Sequence, residues 1–172
     1  MAVEVRRAAP EDAAAIAAVH VRAWQVAYRG LMPDQLLDGL SVTEREEFWR
    51  QALAGGQGPS KVFVAVEDEA VLGFCAIATP SRDDDADDHV AEIGAIYVDP
   101  YVWRSGVGRA LMEVALTDLR AAGWRAVTLW VLAENRPARD FYREFGFEPD
   151  GAEITHERSG QMEVRLRATL KG

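Results

Sequence analysis

The residues with the most chemical content lie between Val98 and Met112, VDPYVWRSGVGRALM. Asp99-Pro100 turns the chain after an apolar run, and Arg104-Ser105-Gly106-Val107-Gly108-Arg109 then leads into a helical pattern. A helix N-terminus presents unpaired N–H groups and a partial positive charge, which together cradle phosphate. Glycines at 106 and 108 would let the backbone close on a pyrophosphate without Cβ atoms in the way. Arg104 and Arg109 would add charge-assisted contacts. The run is not a dinucleotide-binding GxGxxG, because Ala110 and Leu111 follow Gly108 where a further glycine is needed, and it lacks the Gly-Lys-Ser/Thr of a P-loop. By itself it fits a phosphate loop and a ligand-free glycine-rich helix start equally well.

Other reactive residue types have plainer readings beside the functional one. Glu92 is the one charge in Ala91–Val98, a run otherwise apolar on both faces. Burial there would raise its pKa toward that of a useful base, whereas a place at the strand's exposed end, beside His89, would leave it facing solvent. Cys75 sits inside the apolar run Gly73-Phe74-Cys75-Ala76-Ile77 and reads as inert core. His20, His89 and His156 are isolated, without metal-ligand spacing, so no metal is expected.

The elements that must position these residues follow from periodicity. Val3–Arg7 alternates like a strand, a helix opens at Pro10 and stops at Gly30, and a short helix spans Pro33–Leu37. A longer helix starts near Ser41 or Thr43, each with a capping-box glutamate, and Gly55, Gly56, Gly58 and Pro59 break the chain. Lys61–Glu67 and Val71–Thr79 read as a hairpin about Asp68–Ala70, and Pro80–His89 as a polar loop. Ala91–Val98 and Ala126–Leu132 are doubly apolar, as in mid-sheet strands. Helices over Gly106–Ala122 and Pro137–Phe145 follow these two runs, and the tail supplies strands near Phe147–Glu148, Ile154–Glu157 and Gln161–Leu170. The order predicts one mixed α/β sheet with helices on both faces.

At 172 residues the chain suits one domain, and half-apolar composition suits a soluble globular core. A net charge of −9 argues against nonspecific nucleic-acid binding. No run approaches the roughly 20 apolar residues of a membrane span. A single cysteine and a first stretch, MAVEVRRAAPEDAAAI, without a signal pattern point to the cytoplasm.

VDPYVWRSGVGRALM closely resembles the acyl-CoA-binding motif of the GNAT acetyltransferase superfamily. Leu129–Phe147, LWVLAENRPARDFYREFGF, resembles that family's second signature, a strand followed by Asn, Ala and Tyr on a helix and ending in Gly-Phe. His20–Leu40 resembles a GNAT subgroup more loosely. One departure is Trp103, where the family usually has Gln or Arg three residues before the first loop glycine; the backbone N–H expected to contribute there is kept.

The resemblance implies a single GNAT-like domain over residues 1–172: a mixed sheet of about six to seven strands, split in a V and flanked by about four helices. It implies acetyl transfer from acetyl-CoA to a primary amine, directly within a ternary complex. Tyr142, seven residues after Asn135, falls at the family's acid position, and a phenol can protonate an alkyl thiolate; the plainer reading is a core tyrosine among Phe141, Phe145 and Phe147. Glu92, in an Ala-Glu-Ile context, falls at a position where many members carry the base. Backbone groups of Ile96 and Val98 would pair with the pantetheine arm, and Trp103, Arg104, Ser105, Gly106, Val107, Gly108 and Arg109 would bind the cofactor's phosphates. Asn135 would touch the cofactor arm or simply cap its helix. The family usually has a bulge in the first of the two apolar strands, which Gly94 could mark.

Trp24, Tyr28 and Trp49 would line an acceptor pocket or belong to the core. Asp83, Asp84, Asp85, Asp87 and Asp88 would draw a cationic amine or form a solvated loop. A small cationic amine is the expected acceptor, with protein N-termini or lysines as alternatives. A non-catalytic acyl-CoA sensor and a nucleotide-phosphate enzyme are the rival classes. Dimerisation is common in the family, and a homodimer through the C-terminal strands is a further expectation.

Overall fold

Local sequence chemistry builds the first half of the chain in a computed structural model that describes residues 3–55 and 59–171. The glycine break at Gly56 and Gly58 lies outside those residues. Strand β1 (Glu4–Arg7) runs into a 3₁₀ turn at Pro10–Asp12 and then helix α1 (Ala13–Ala27), so Pro10 starts the tighter turn and not α1 itself. Asp12 fixes this entry by accepting the Ala9 N–H at 2.7 Å and pairing with Arg6 at 2.8 Å. Helix α2 (Asp34–Asp38) and helix α3 (Val42–Leu53) follow. Of the two possible caps for α3, Ser41 is used, its hydroxyl accepting the Glu44 N–H at 3.2 Å.

Strands β2 (Lys61–Glu67) and β3 (Ala70–Ala78) form the expected hairpin, turned by Asp68 and Glu69 at φ +48° and +68°. Positive φ at both turn residues matches the right-handed twist of the flanking strands. Then come strand β4 (Val90–Val98), helix α4 (Val107–Ala121), strand β5 (Ala126–Leu132), helix α5 (Arg136–Arg143), and strands β6 (Glu148–Thr155) and β7 (Met162–Thr169). Among the described residues no helix is long and apolar enough to cross a membrane.

The seven strands lie in one sheet in the order β1-β2-β3-β4-β5-β7-β6. All neighbours are antiparallel except β4 and β5, which are parallel and pair only at Val90–Ala126, Ala91–Val127 and Glu92–Thr128. On one face, α4 buries Val107, Leu111, Met112, Ala115 and Leu119 against Cys75, Ile77, Ala91, Ile93, Val127 and Leu129. Each large side chain there contributes roughly 1.5–3 kcal/mol through burial. On the other face α1 and α3 pack Ile16, Ala17, Val19 and Trp49 on Val62, Val64, Phe74 and Ala76. Cys75 is fully buried, and burial pushes its thiol up to about 12, the behaviour of inert core.

Pairing of β3 with β4 slips from Ala76–Ala95 to Ile77–Ile93, leaving Gly94 as the extra residue of a bulge. The bulge reverses facing. Ile96 and Val98 pack toward α4, whereas Ala95 and Tyr97 pack toward α1 and α3. Glu92, alternating with Ala91 and Ile93, therefore shares its face with Tyr97 and not with Ile96 and Val98.

Gly73 permits the close approach of β3 and β4. A Cβ there would stand 2.9 Å from the Tyr97 carbonyl oxygen and 3.1 Å from Leu111 Cδ1. Gly73→Ala is expected to destabilise the protein by about 1–3 kcal/mol, read as a lower urea midpoint. Gly30→Ala, with open space around the same atom but φ +87°, separates backbone strain from crowding and should cost about 1 kcal/mol.

Candidate active site

Beyond Glu92 and Thr128 the strands β4 and β5 diverge, and β4 loses its neighbour on that side. Antiparallel pairs alternate between bonded and non-bonded positions. The Asp99 N–H donates to the Leu72 carbonyl at 2.8 Å, so the next pair, Gly73 with Val98, is non-bonded, as is Cys75 with Ile96. The backbone N–H and C=O of Ile96 and Val98 therefore point into the split. One of these four groups is taken: the Trp103 indole Nε1–H donates to the Val98 carbonyl at 2.8 Å. Trp103 thus acts here through its side chain. Its backbone N–H, expected to be free for a ligand, closes a turn onto the Pro100 carbonyl at 3.4 Å.

The loop at the open end presents a row of free backbone donors. Backbone N–H groups from Arg104 to Arg109 have no hydrogen-bond partner among the described residues, and three of them belong to the first turn of α4. Arg104 and Gly106 both adopt left-handed backbone, at φ +65° and +93°, which turns successive N–H groups inward as a nest. Only Gly106 is demanded by conformation; a Cβ at Gly108 would make ordinary contacts with Phe141 and Val98 at 3.4 and 3.6 Å. Arg109 is drawn aside, paired with Glu144 at 2.6 Å and lying over the Phe145 ring. Asn135 caps α5, accepting the Ala138 N–H at 3.4 Å through its side-chain oxygen.

At the apex of the split stands Glu92, buried as a mid-strand position would require. The raised pKa expected for it is corrected by its partners. Burial pushes the carboxyl upward, but Arg82 and Ser81 outweigh that effect and hold it below the ordinary carboxylate value. Arg82 donates from its guanidinium at 2.8 Å and from its backbone N–H at 2.9 Å, and the Ser81 hydroxyl donates at 3.3 Å. Four donor atoms thus fix this carboxylate in place, three on Oε1 and one on Oε2.

On the α1 side of the split an aromatic wall gathers. The Tyr28 and Tyr97 hydroxyls are 3.2 Å apart, and Trp24 stands edge-on to Tyr28 with ring centres 5.0 Å apart. The Trp24 indole N–H is buried beside them without a hydrogen-bond partner among the described residues. His20 stacks on Tyr97 at 5.2 Å from behind; its Nδ1 accepts the Trp49 N–H at 3.3 Å, and burial pushes its pKa down to about 3, so the ring is neutral. Trp49 is consequently core, not pocket lining. Tyr142 comes from α5, packed on Phe141 and Phe147. Burial, with a smaller contribution from Tyr97, raises its pKa and keeps the phenol protonated.

The acidic loop is anchored at two of its five aspartates. Arg165 pairs with Asp83 at 3.3 Å, Asp85 at 2.6 Å and Asp150 at 2.7 Å, and Trp130 Nε1 donates to Asp83 at 3.1 Å. Two of the five aspartates expected to draw a cation thus serve to staple the loop to β5 and β7.

The family model described as Acetyltransferase (GNAT) family matches residues 21–147. The chain belongs to this family. It is 32% identical over 147 residues to an uncharacterised N-acetyltransferase, YuaI, of Bacillus subtilis, covering 85% of this chain and 80% of that protein. It is 35% identical over 111 residues to mycothiol acetyltransferase of Brachybacterium faecium, covering 64% of this chain and 30% of that longer protein. Among solved structures, PaiA N-acetyltransferase of Thermoplasma acidophilum in complex with coenzyme A has the same fold, with a TM-score of 0.74, 17% identity and coverage of 98% and 99% of the two chains. As a GNAT-family member the chain is an acyl-CoA-dependent acetyltransferase, and its seven-stranded open sheet is the family's fold.

Residues that sequence reasoning passed over include Tyr97, which the bulge turns to the α1 side, and Arg82, which silences Glu92. Because the Glu92 pKa is depressed on folding, its stabilisation is complete above the unfolded value of 4.5 and disappears as pH falls through the lower folded value. Denaturant unfolding of wild type and Glu92→Gln should accordingly show a stability gap near pH 7 that closes toward pH 3.

Proposed function

We propose that the chain transfers an acetyl group from acetyl-CoA directly to a small primary amine within a ternary complex. One observation carries the donor side of this reading: the open edge of β4 runs straight into the free N–H cradle of Arg104–Arg109. The pantetheine arm would add to β4 at Ile96 and Val98 like an extra strand, and the pyrophosphate would lie over the start of α4. Asn135, at the head of α5, would border the arm from the β5 side.

Amine attack on a thioester asks three things of the protein. An ammonium must lose a proton, the tetrahedral oxyanion needs N–H donors, and the departing thiolate needs a proton. Free backbone N–H groups past the Gly94 bulge would serve the oxyanion. Tyr142 would protonate the thiolate as it leaves: its phenol is held in the protonated form, and because a thiolate of parent pKa about 8.5 is the weaker base, the transfer is driven by the proton that the acylated nitrogen then gives back to the phenolate. Trp24 and Tyr28 would line the acceptor side, which favours an amine small enough to reach between α1 and the sheet. The chain's net charge of −9 favours a cationic one.

The test is free-thiol release from acetyl-CoA against a panel of amines: polyamines, amino-acid amides, aminoglycosides, the acceptor of mycothiol acetyltransferases and peptide N-termini. Tyr142→Phe is expected to lower kcat about 10²–10⁴-fold while leaving the acetyl-CoA Kd, by calorimetry, within about twofold. Absence of both CoA binding and thiol release with every amine would sink the reading, and wild-type turnover by Tyr142→Phe would sink the acid assignment.

A further inference from the structure

Directly opposed residues of an antiparallel pair share a face. Glu163 on β7 stands opposite Leu132 on β5 and Ile154 on β6. Leu132 packs with Met32 and Leu37 in a cluster bordered by Trp24 and Tyr28, so Glu163 points to the acceptor side of the split. The same alternation brings His156, two residues past Ile154, onto that face, and its ring centre lies 6.3 Å from that of Trp24. His156 Nδ1 accepts the Ser159 N–H at 3.2 Å, which leaves Nε2 carrying the ring proton.

Glu163 differs from Glu92, Asp99 and Asp83 in having no side-chain partner among the described residues. Glu92 is saturated by Arg82 and Ser81, Asp99 is paired with Arg22 at 2.5 Å, and Asp83 is held by Arg165. Glu163 is half-buried and has neither an ion pair nor a hydrogen bond to its side chain among the described residues. The charged and titratable groups around it are Tyr28 from the end of α1, Tyr97 from β4, His156 from the β6–β7 turn and Arg165 two residues along β7. Arg165 is already committed to three aspartates. Burial raises the Glu163 pKa, and His156 partly offsets the rise. Tyr28 and Tyr97, raised chiefly by their own burial, are raised further by the nearby Glu163 charge.

We propose that Glu163 receives the acceptor's ammonium and takes the proton that frees its nitrogen for attack. This rests on the amine-acetylation reading above. One N–H bond of the ammonium breaks, its proton passing to a Glu163 oxygen and its electron pair remaining on nitrogen. That pair forms the new C–N bond to the thioester carbonyl, and the C–S bond then breaks with its electrons on sulfur. Tyr142 gives sulfur a proton, and the second proton leaving the nitrogen restores the phenol. Glu163 returns its proton to solvent, so the net products are amide, free thiol and one H⁺.

The experiment compares wild type, Glu163→Gln and Glu163→Asp over pH 6 to 10, using whichever amines of the panel the wild type accepts. Glu163→Gln is expected to lower kcat/KM about 10²–10⁴-fold near pH 7, with acetyl-CoA Kd and Tm unchanged. The deficit should shrink toward pH 10, where a growing fraction of the amine is already neutral in bulk solution, and Glu163→Asp should recover part of the rate. A Gln variant within threefold of wild type at pH 7 overturns the proposal and leaves the amine-acetylation reading standing. A deficit independent of pH, or one accompanied by weakened acetyl-CoA binding, shows a merely structural role and also overturns it. A wild type that acetylates no amine overturns both.

Discussion

The open strand edge on which the proposed donor site rests depends on the pairing of β4 and β5 stopping after Glu92 and Thr128. A parallel pair in mid-sheet normally continues, because each unpaired buried backbone group costs on the order of 1–3 kcal/mol. Here the Gly94 bulge bends β4 away, and Ile96 and Val98 direct their backbone groups into the gap. A ligand that hydrogen-bonds like a strand is therefore repaid twice, by its own contacts and by relieving those groups. The chain relieves one of them itself, through the Trp103 indole on the Val98 carbonyl. That bond also packs a large side chain beside the glycine loop, so the loop's conformation and the open strand edge are mechanically one unit.

An opening between two central strands needs an apex that does not slide. Arg82 supplies it by gripping Glu92 on β4 while lying over Gly94, where a Cβ would come 3.3 Å from its guanidinium nitrogen. One residue further along the same loop, Asp83 reaches Trp130 on β5 and Arg165 on β7. The loop thus ties β4, β5 and β7 together where the split begins. At the other end of β4, Arg22 of α1 holds Asp99, which fixes the aromatic wall of α1 relative to the strand that would carry the donor. The ion pairs are partly buried, and their directional hydrogen bonds set geometry more than they add stability.

The sequence made the scaffold legible because its signals are local. The glycine at 106, the Ser41 cap, the Asp68–Glu69 turn and the apolar runs of β4 and β5 each depend on a few neighbouring residues. Side-chain electrostatics were not legible, because the partners are remote in sequence or face unexpectedly. The raised pKa inferred for Glu92 followed from burial alone and failed because Arg82, ten residues earlier, folds back onto it. The facing of Tyr97 depends on the bulge at Gly94, which shifts the alternation of β4. Glu163 lies in the alternating strand Met162–Thr169; α1 and the acidic loop cover its face, and nothing local announces it.

The comparison of Glu92 with Glu163 shows why burial is a poor guide to reactivity when used alone. Glu92 is the more deeply buried of the two, yet its pKa is lowered, because four donor groups accompany it into the sheet. Glu163 is only half-buried and its pKa is raised, because nothing but the His156 ring offsets its desolvation. Each donor that fixes a carboxylate also removes a lone pair from the chemistry and makes protonation less favourable. An anion that anchors the apex of the split must therefore be a weak base, and an anion that is to accept a proton must be left without partners. The fold meets both demands by putting the first beside the rigid loop at the apex and the second at the start of β7, where two tyrosine hydroxyls and one imidazole face it and the neighbouring Arg165 is committed to three aspartates.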